Sequence, residues 1–110
     1  MEEKYRKEDY EEFEWELRNC SLKYEKKLAK SLKPGTVRRY MRIVWCGIEY
    51  IVVERNINRY EDIELSMISS KLYRYYAREE GDTWVDVKLV ERIMTEFLRF
   101  ANRRVKKKAD

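Results

Sequence analysis

The sequence predicts an all-α protein, a small bundle of four to five helices. Two observations carry that expectation. Three glycines (Gly35, Gly47, Gly81) and a single proline, Pro34, punctuate 110 residues, far too few turn formers for a β-sandwich or barrel. Apolar residues recur at helical spacing through almost the whole chain. The length suits one domain, residues 1–110, with a core that needs neither metal nor disulfide. Within it we expect an acidic lead helix over residues 1–21, a bundle over 22–104 and a basic tail over 105–110.

The first segment, roughly residues 2–19, sets Tyr10, Phe13 and Leu17 on one face and is acidic elsewhere. Asn19-Cys20-Ser21 is either a break capped at Asn19 or Ser21, or the interior of a continuous helix in which Tyr10, Leu17 and Tyr24 recur every seven residues. Residues 22–32 carry Tyr24, Leu28 and Leu32 at i, i+4 and i+8, with Lys23, Lys26, Lys27 and Lys30 on the polar face. Pro34 and Gly35 are expected to stop this helix, and Thr36 to cap the next by accepting a backbone N–H. That central helix, residues 36–55, has a wide apolar stripe of Val37, Tyr40, Met41, Val44, Ile48, Ile51 and Val52. Ile43, Trp45 and Val53 lie off the stripe, so the helix should be packed on several sides.

Residues 56–60 read as a loop, since Asn56 and Asn58 tolerate turn conformations. Residues 63–80 place Leu65, Ile68, Leu72 and Tyr75 or Tyr76 at helical spacing, and Gly81 is a good stop. Asp82, Thr83 or Asp86 caps the last helix. It carries Val90, Ile93, Met94, Phe97, Leu98 and Ala101, and ends in Arg103, Arg104, Lys106, Lys107 and Lys108. Cations there suit the helix dipole, but five in six residues exceed what capping needs.

Charge is unevenly spread. The net charge is +4, yet residues 1–19 hold eight acids against four bases, and residues 20–110 hold 21 bases against 13 acids. The split of −4 and +8 fits a polyanion-binding body with an acidic lead segment, or simply two solvated helix faces. Charged residues make up 42% of the chain, Lys, Arg and Glu dominate, and Gln is absent. This composition resembles that of thermophile proteins, which favour ion-pair networks over labile amides.

The missing chemistry is equally informative. With no histidine, Ser-His-Asp and Cys-His catalysis and the commonest neutral-pH base are gone. No phosphate-cradling Gly-rich loop exists. Zinc wants four Cys or His ligands, and only Cys20 and Cys46 are present. These two read as free thiols of a cytoplasmic protein. Pairs such as Glu11/Glu12, Glu61/Asp62 and Glu79/Glu80 sit in highly charged stretches and read as solvated surface. We therefore expect no enzyme activity, no catalytic residue, no metal and no cofactor. The longest apolar run, residues 43–53, is interrupted by Glu49 and too short for a bilayer, so no membrane partner is expected. The acidic, polar N-terminus is unlike a signal peptide.

The pattern Thr36-x-x-x-Tyr40-x-x-x-Val44, continuing to Ile48, Tyr50 and Ile51, resembles the first conserved helix of the core-binding (SAM-like) domain of tyrosine recombinases and phage integrases. Tyr60-Glu-Asp-Ile63 is similar to that domain's middle part, and residues 86–100, with Phe97-Leu-Arg-Phe100, to its closing helix. The resemblance spans about residues 22–104. It implies a helical bundle that grips one face of a DNA duplex as half of a clamp. It also implies that Thr36, Arg38, Arg39 and Tyr40 approach DNA from the first helix, and Lys88 and Arg92 from the last. The family's catalytic domain, with its Arg, His and Tyr residues, has no counterpart here, so cleavage and rejoining by that mechanism are excluded. Gly47 stands where the family has an aromatic residue.

Two readings follow. In the first, the chain binds double-stranded DNA. Lys30, Lys33, Arg38, Arg39 and Arg42, at the basic start of the central helix, form one patch. Lys88, Arg92, Arg103, Arg104 and Lys106–Lys108 form another. Trp45 and Trp84 are core anchors, and Tyr73, Tyr75 and Tyr76 pack half-buried. In the second, the chain is a protein-interaction or dimerisation module of a helical adaptor type. A partner, or a second copy, docks through residues 1–19 on the Tyr10/Phe13/Leu17 face. The acidic segment folding over the basic face as an internal DNA mimic is a further expectation from the charge split.

Overall fold

Four α-helices form among the described residues: α1 (Glu12–Ala29), α2 (Pro34–Glu49), α3 (Leu65–Glu80) and α4 (Val87–Ala109), with no strand among them. The computed structural model describes residue 8 and residues 10–80 and 86–109, with side chains for all but 65–70, 79–80 and 105–109. The all-α bundle expected from the sequence is what forms. Gly81, Asp82, Thr83 and Trp84 lie outside the described residues, as do residues 1–7.

α1 is continuous through residues 19–21. Asn19 Nδ2 donates to the Trp15 carbonyl at 3.0 Å, and Ser21 Oγ donates to the Arg18 carbonyl at 2.6 Å. Both side chains bond back into the helix instead of capping a new one. Phe13, Leu17, Cys20, Ser21 and Tyr24 form its buried stripe. The Ser21 hydroxyl also accepts the Trp45 indole N–H at 3.2 Å. A fully buried polar group is thereby satisfied, and α1 is tied to α2. α1 starts at Glu12, with Glu11 as its N-cap residue, and residue 21, the expected division, falls inside it; the expected helix over residues 1–7 lies outside the described residues.

The α1–α2 connection corrects a further expectation. α1 ends at Ala29, ahead of Pro34, in a tightened turn where the Ser31 and Leu32 N–H groups both reach the Leu28 carbonyl. Pro34 is the first residue of α2, where a missing N–H costs nothing and a fixed φ favours the helix. Lys33 occupies the cap position without a side-chain bond, and Thr36 lies inside the first turn, capping nothing.

α2 is buried around much of its circumference, including Val37, Met41, Ile43, Val44, Cys46, Gly47 and Ile48. At Gly47 the Met94 side chain of α4 fills the space of a side chain: a Cβ there would fall on its Sδ and Cε. Past Glu49 the helix widens into a π-helical turn, Tyr50–Glu54. The Arg55 N–H bonds the Tyr50 carbonyl at 3.0 Å, and Asn56 in the left-handed region (φ 52°) ends the turn. Val53, expected to be packed, is 60% exposed.

A short 3-10 turn, Tyr60–Asp62, leads into α3, where Leu72, Tyr75 and Tyr76 are all buried and Tyr73 is half-buried. Asp86 is the residue that caps α4, its Oδ1 accepting the Leu89 N–H at 2.8 Å. α4 stays helical to Ala109, so the expected basic tail continues the helix. α4 packs against each of the other three helices, and α1 also packs on α2. Cys20 and Cys46 are buried thiols, not joined in a disulfide. No described helix is long and apolar enough to cross a membrane.

Candidate nucleic-acid interface

α4 buries Val90, Ile93, Met94, Phe97, Leu98 and Ala101, and the opposite side carries four of its cations. Lys88, Arg92, Arg99 and Arg103 are all exposed. At about 100° per residue they fall within a sector of roughly 60°, and at about 1.5 Å per residue the stripe is about 22 Å long. Arg99 escapes a reading of the sequence, although its place seven residues from Arg92 and four from Arg103 puts it on their line.

The stripe is flanked by aromatic and polar contacts from the other helices. Arg92 Nη2 donates to the Tyr40 hydroxyl of α2 at 3.3 Å, and its guanidinium lies 5.7 Å from the Tyr40 ring centroid. The hydrogen bond to Tyr40 raises the Arg92 pKa further. Arg92 also approaches Glu96 at 3.9 Å. The Tyr24 hydroxyl of α1 donates to Glu96 at 3.4 Å. Burial, followed by the nearby Glu96 charge, pushes the Tyr24 pKa up to about 12. One polar chain, Tyr24–Glu96–Arg92–Tyr40, thus runs across three helices.

Further along, Lys27 of α1 and Arg104 of α4 each lie 5.4 Å from the Phe100 ring centroid. Tyr24 packs on the same ring at 5.5 Å. Lys23, Lys27 and Lys30 share one edge of α1 by their i, i+4, i+7 spacing. Of the three, Lys27 contacts α4, at Phe100.

The α2 arginines separate from Tyr40. Arg38, Arg39 and Arg42 are exposed on an outer sector of α2, and Tyr40 points roughly 160° away from Arg38 and Arg42 and about 100° from Arg39. The expected single approach of Thr36, Arg38, Arg39 and Tyr40 is therefore split. Lys33 is exposed at the loop, and Thr36 is half-buried. The helix start offers little to an anion beyond the Gly35 and Thr36 N–H groups, because Pro34 has none and Val37 bonds the Lys33 carbonyl. Lys106, Lys107 and Lys108 continue the helical backbone of α4.

The docking face expected on the lead segment is occupied from within. Phe13 and Leu17 are buried in the chain's own core, Phe13 edge-on to Tyr60 at 5.0 Å, and Tyr10 lies under the Arg18 guanidinium at 5.1 Å. Glu14 is paired with Arg18 at 2.8 Å on the same helix. Among the described residues no group of three or more His, Cys, Asp or Glu is placed to hold a metal ion. No family model, no curated protein and no solved structure matches this chain.

Proposed function

We propose that this chain is a non-catalytic, duplex DNA-binding helical module, with α4 as its principal contact. The observation that carries this reading is the stripe of Lys88, Arg92, Arg99 and Arg103. A cationic row about 22 Å long exceeds the width of the major groove, ~12 Å, so it reaches phosphates on both sides of it. Lys23, Lys27, Lys30 and Arg104 widen the contact on the α1 side, and Tyr40 holds Arg92 in place. Arg38, Arg39 and Arg42 form a separate outlying patch. The likeness of residues 36–51 and 86–100 to a recombinase core-binding domain also favours duplex DNA. Phosphate contacts supply most of the affinity, and it is steeply salt-dependent.

The test is duplex binding across a salt series by wild type, Arg99→Ala/Arg103→Ala and Arg38→Ala/Arg42→Ala. The first variant should bind more weakly and lower the salt slope by about 0.9 for each phosphate it no longer neutralises. The second should be impaired less. Unchanged binding by the α4 variant would sink the assignment. The interaction-module reading is less favoured, because Phe13 and Leu17 of its expected docking face lie in the chain's own core.

A further inference from the structure

A further cationic cluster lies on α3. Lys71, Arg74 and Arg78 of α3 recur at i, i+3 and i+7, which places them on one side of the helix over about 10 Å. With Tyr75 they meet Tyr50 and Glu54, the two ends of the π-helical turn, around a depression of about 230 Å³. The rings of Tyr50 and Tyr75 are nearly buried and packed 5.4 Å apart, and the Arg78 guanidinium lies 5.4 Å from the Tyr75 ring centroid. The floor is aromatic, and the rim is cationic.

Two features mark this as more than surface charge. Among the described residues that line the concavity, three are cations and one, Glu54, is a carboxylate. The π turn is an uncommon backbone state, concentrated at functional sites, and here its first and last residues both line the depression. The volume falls below that of a drug-sized pocket, roughly 300–1,000 Å³, and so favours a compact ligand. We propose that this depression binds a phosphate or diphosphate group, with Lys71, Arg74 and Arg78 holding the oxygens over the tyrosine floor. Glu54 sets the charge balance.

The experiment is a ¹H–¹⁵N chemical-shift titration of the full chain with pyrophosphate at low ionic strength. Saturable shifts confined to residues 50–54 and 71–78 are expected. Lys71→Ala/Arg74→Ala, both exposed positions, should weaken binding at least tenfold, and Glu54→Gln should tighten it several-fold. Arg99→Ala/Arg103→Ala should leave it unchanged, so this site and the DNA contact fail or stand separately. Repeating the titration with ADP separates two sources of the phosphate. Tighter binding than pyrophosphate identifies a nucleotide, and equal or weaker binding identifies the bare diphosphate. Shifts that do not saturate, that spread over every basic surface, or that survive Lys71→Ala/Arg74→Ala would overturn the proposal.

Discussion

Two tyrosines show how differently one side chain can be used. The Tyr60 hydroxyl is buried without a hydrogen-bond partner among the described residues, and burial pushes its pKa well above the ordinary value. An unsatisfied buried hydroxyl costs about 1–3 kcal/mol. Tyr60→Phe should therefore raise stability by about 1 kcal/mol while keeping the ring against Phe13; denaturant unfolding measures it. The Tyr24 ring is buried too, but its hydroxyl donates to Glu96. Its folded pKa of about 12 exceeds the ordinary value of 10.0, so the native state holds the proton more tightly. Its stabilising contribution is complete below pH 10 and is lost as pH rises toward 12. Tyr24→Phe should flatten that alkaline loss, seen as a smaller drop in denaturation midpoint between those two pH values. Core residues such as Leu17, Met41, Ile48 and Phe97 are legible from periodicity. The place of Tyr40 is not, because neighbours in sequence diverge by about 100° on a helix. Reading it with Arg38 and Arg39 joins what the helix separates.

Among the elements, α2 is the one whose ends defy the sequence. Proline suggests a break, yet at the first helical position it is a starter, and nothing in residues 50–54 announces a π turn. The cap of α4 is legible, since Asp86 precedes the periodic run. The close approach of α2 and α4 is not, because a lone glycine in a helix gives no clue to what faces it. It yields a firm expectation: Gly47→Val should destabilise by about 1–3 kcal/mol through overpacking against Met94. In a Met94→Ala background, itself costly by about 2–5 kcal/mol, the same change should be nearly free. A double-mutant cycle with thermal or chemical unfolding reads this coupling.

For the molecule as a whole, the sequence reveals the charge split but not how it is worn. From Glu12 on, the acidic segment is built into α1, whose apolar stripe the bundle needs; a stripe in a sequence does not say which chain will cover it. Removing residues 1–19 takes Phe13 and Leu17 from the core, at about 2–5 kcal/mol each, against a total stability of about 5–15 kcal/mol. Such a truncation should abolish the cooperative melt followed by circular dichroism. The basic face is legible only in part, because its cations come from α1 and α4 and meet only in the fold.

That Tyr24 of the first helix packs on Phe97 and Phe100 of the last has a consequence for biosynthesis. At roughly 5–20 residues per second, α1 emerges from the ribosome several seconds before the residues that cover it. Until then its aromatic stripe has only α2 and the turn at Tyr60 to pack on. A chain stalled before residue 97 would carry an open, sticky seam and would be a substrate for holding chaperones, whereas synthesis of α4 supplies the residues that close it.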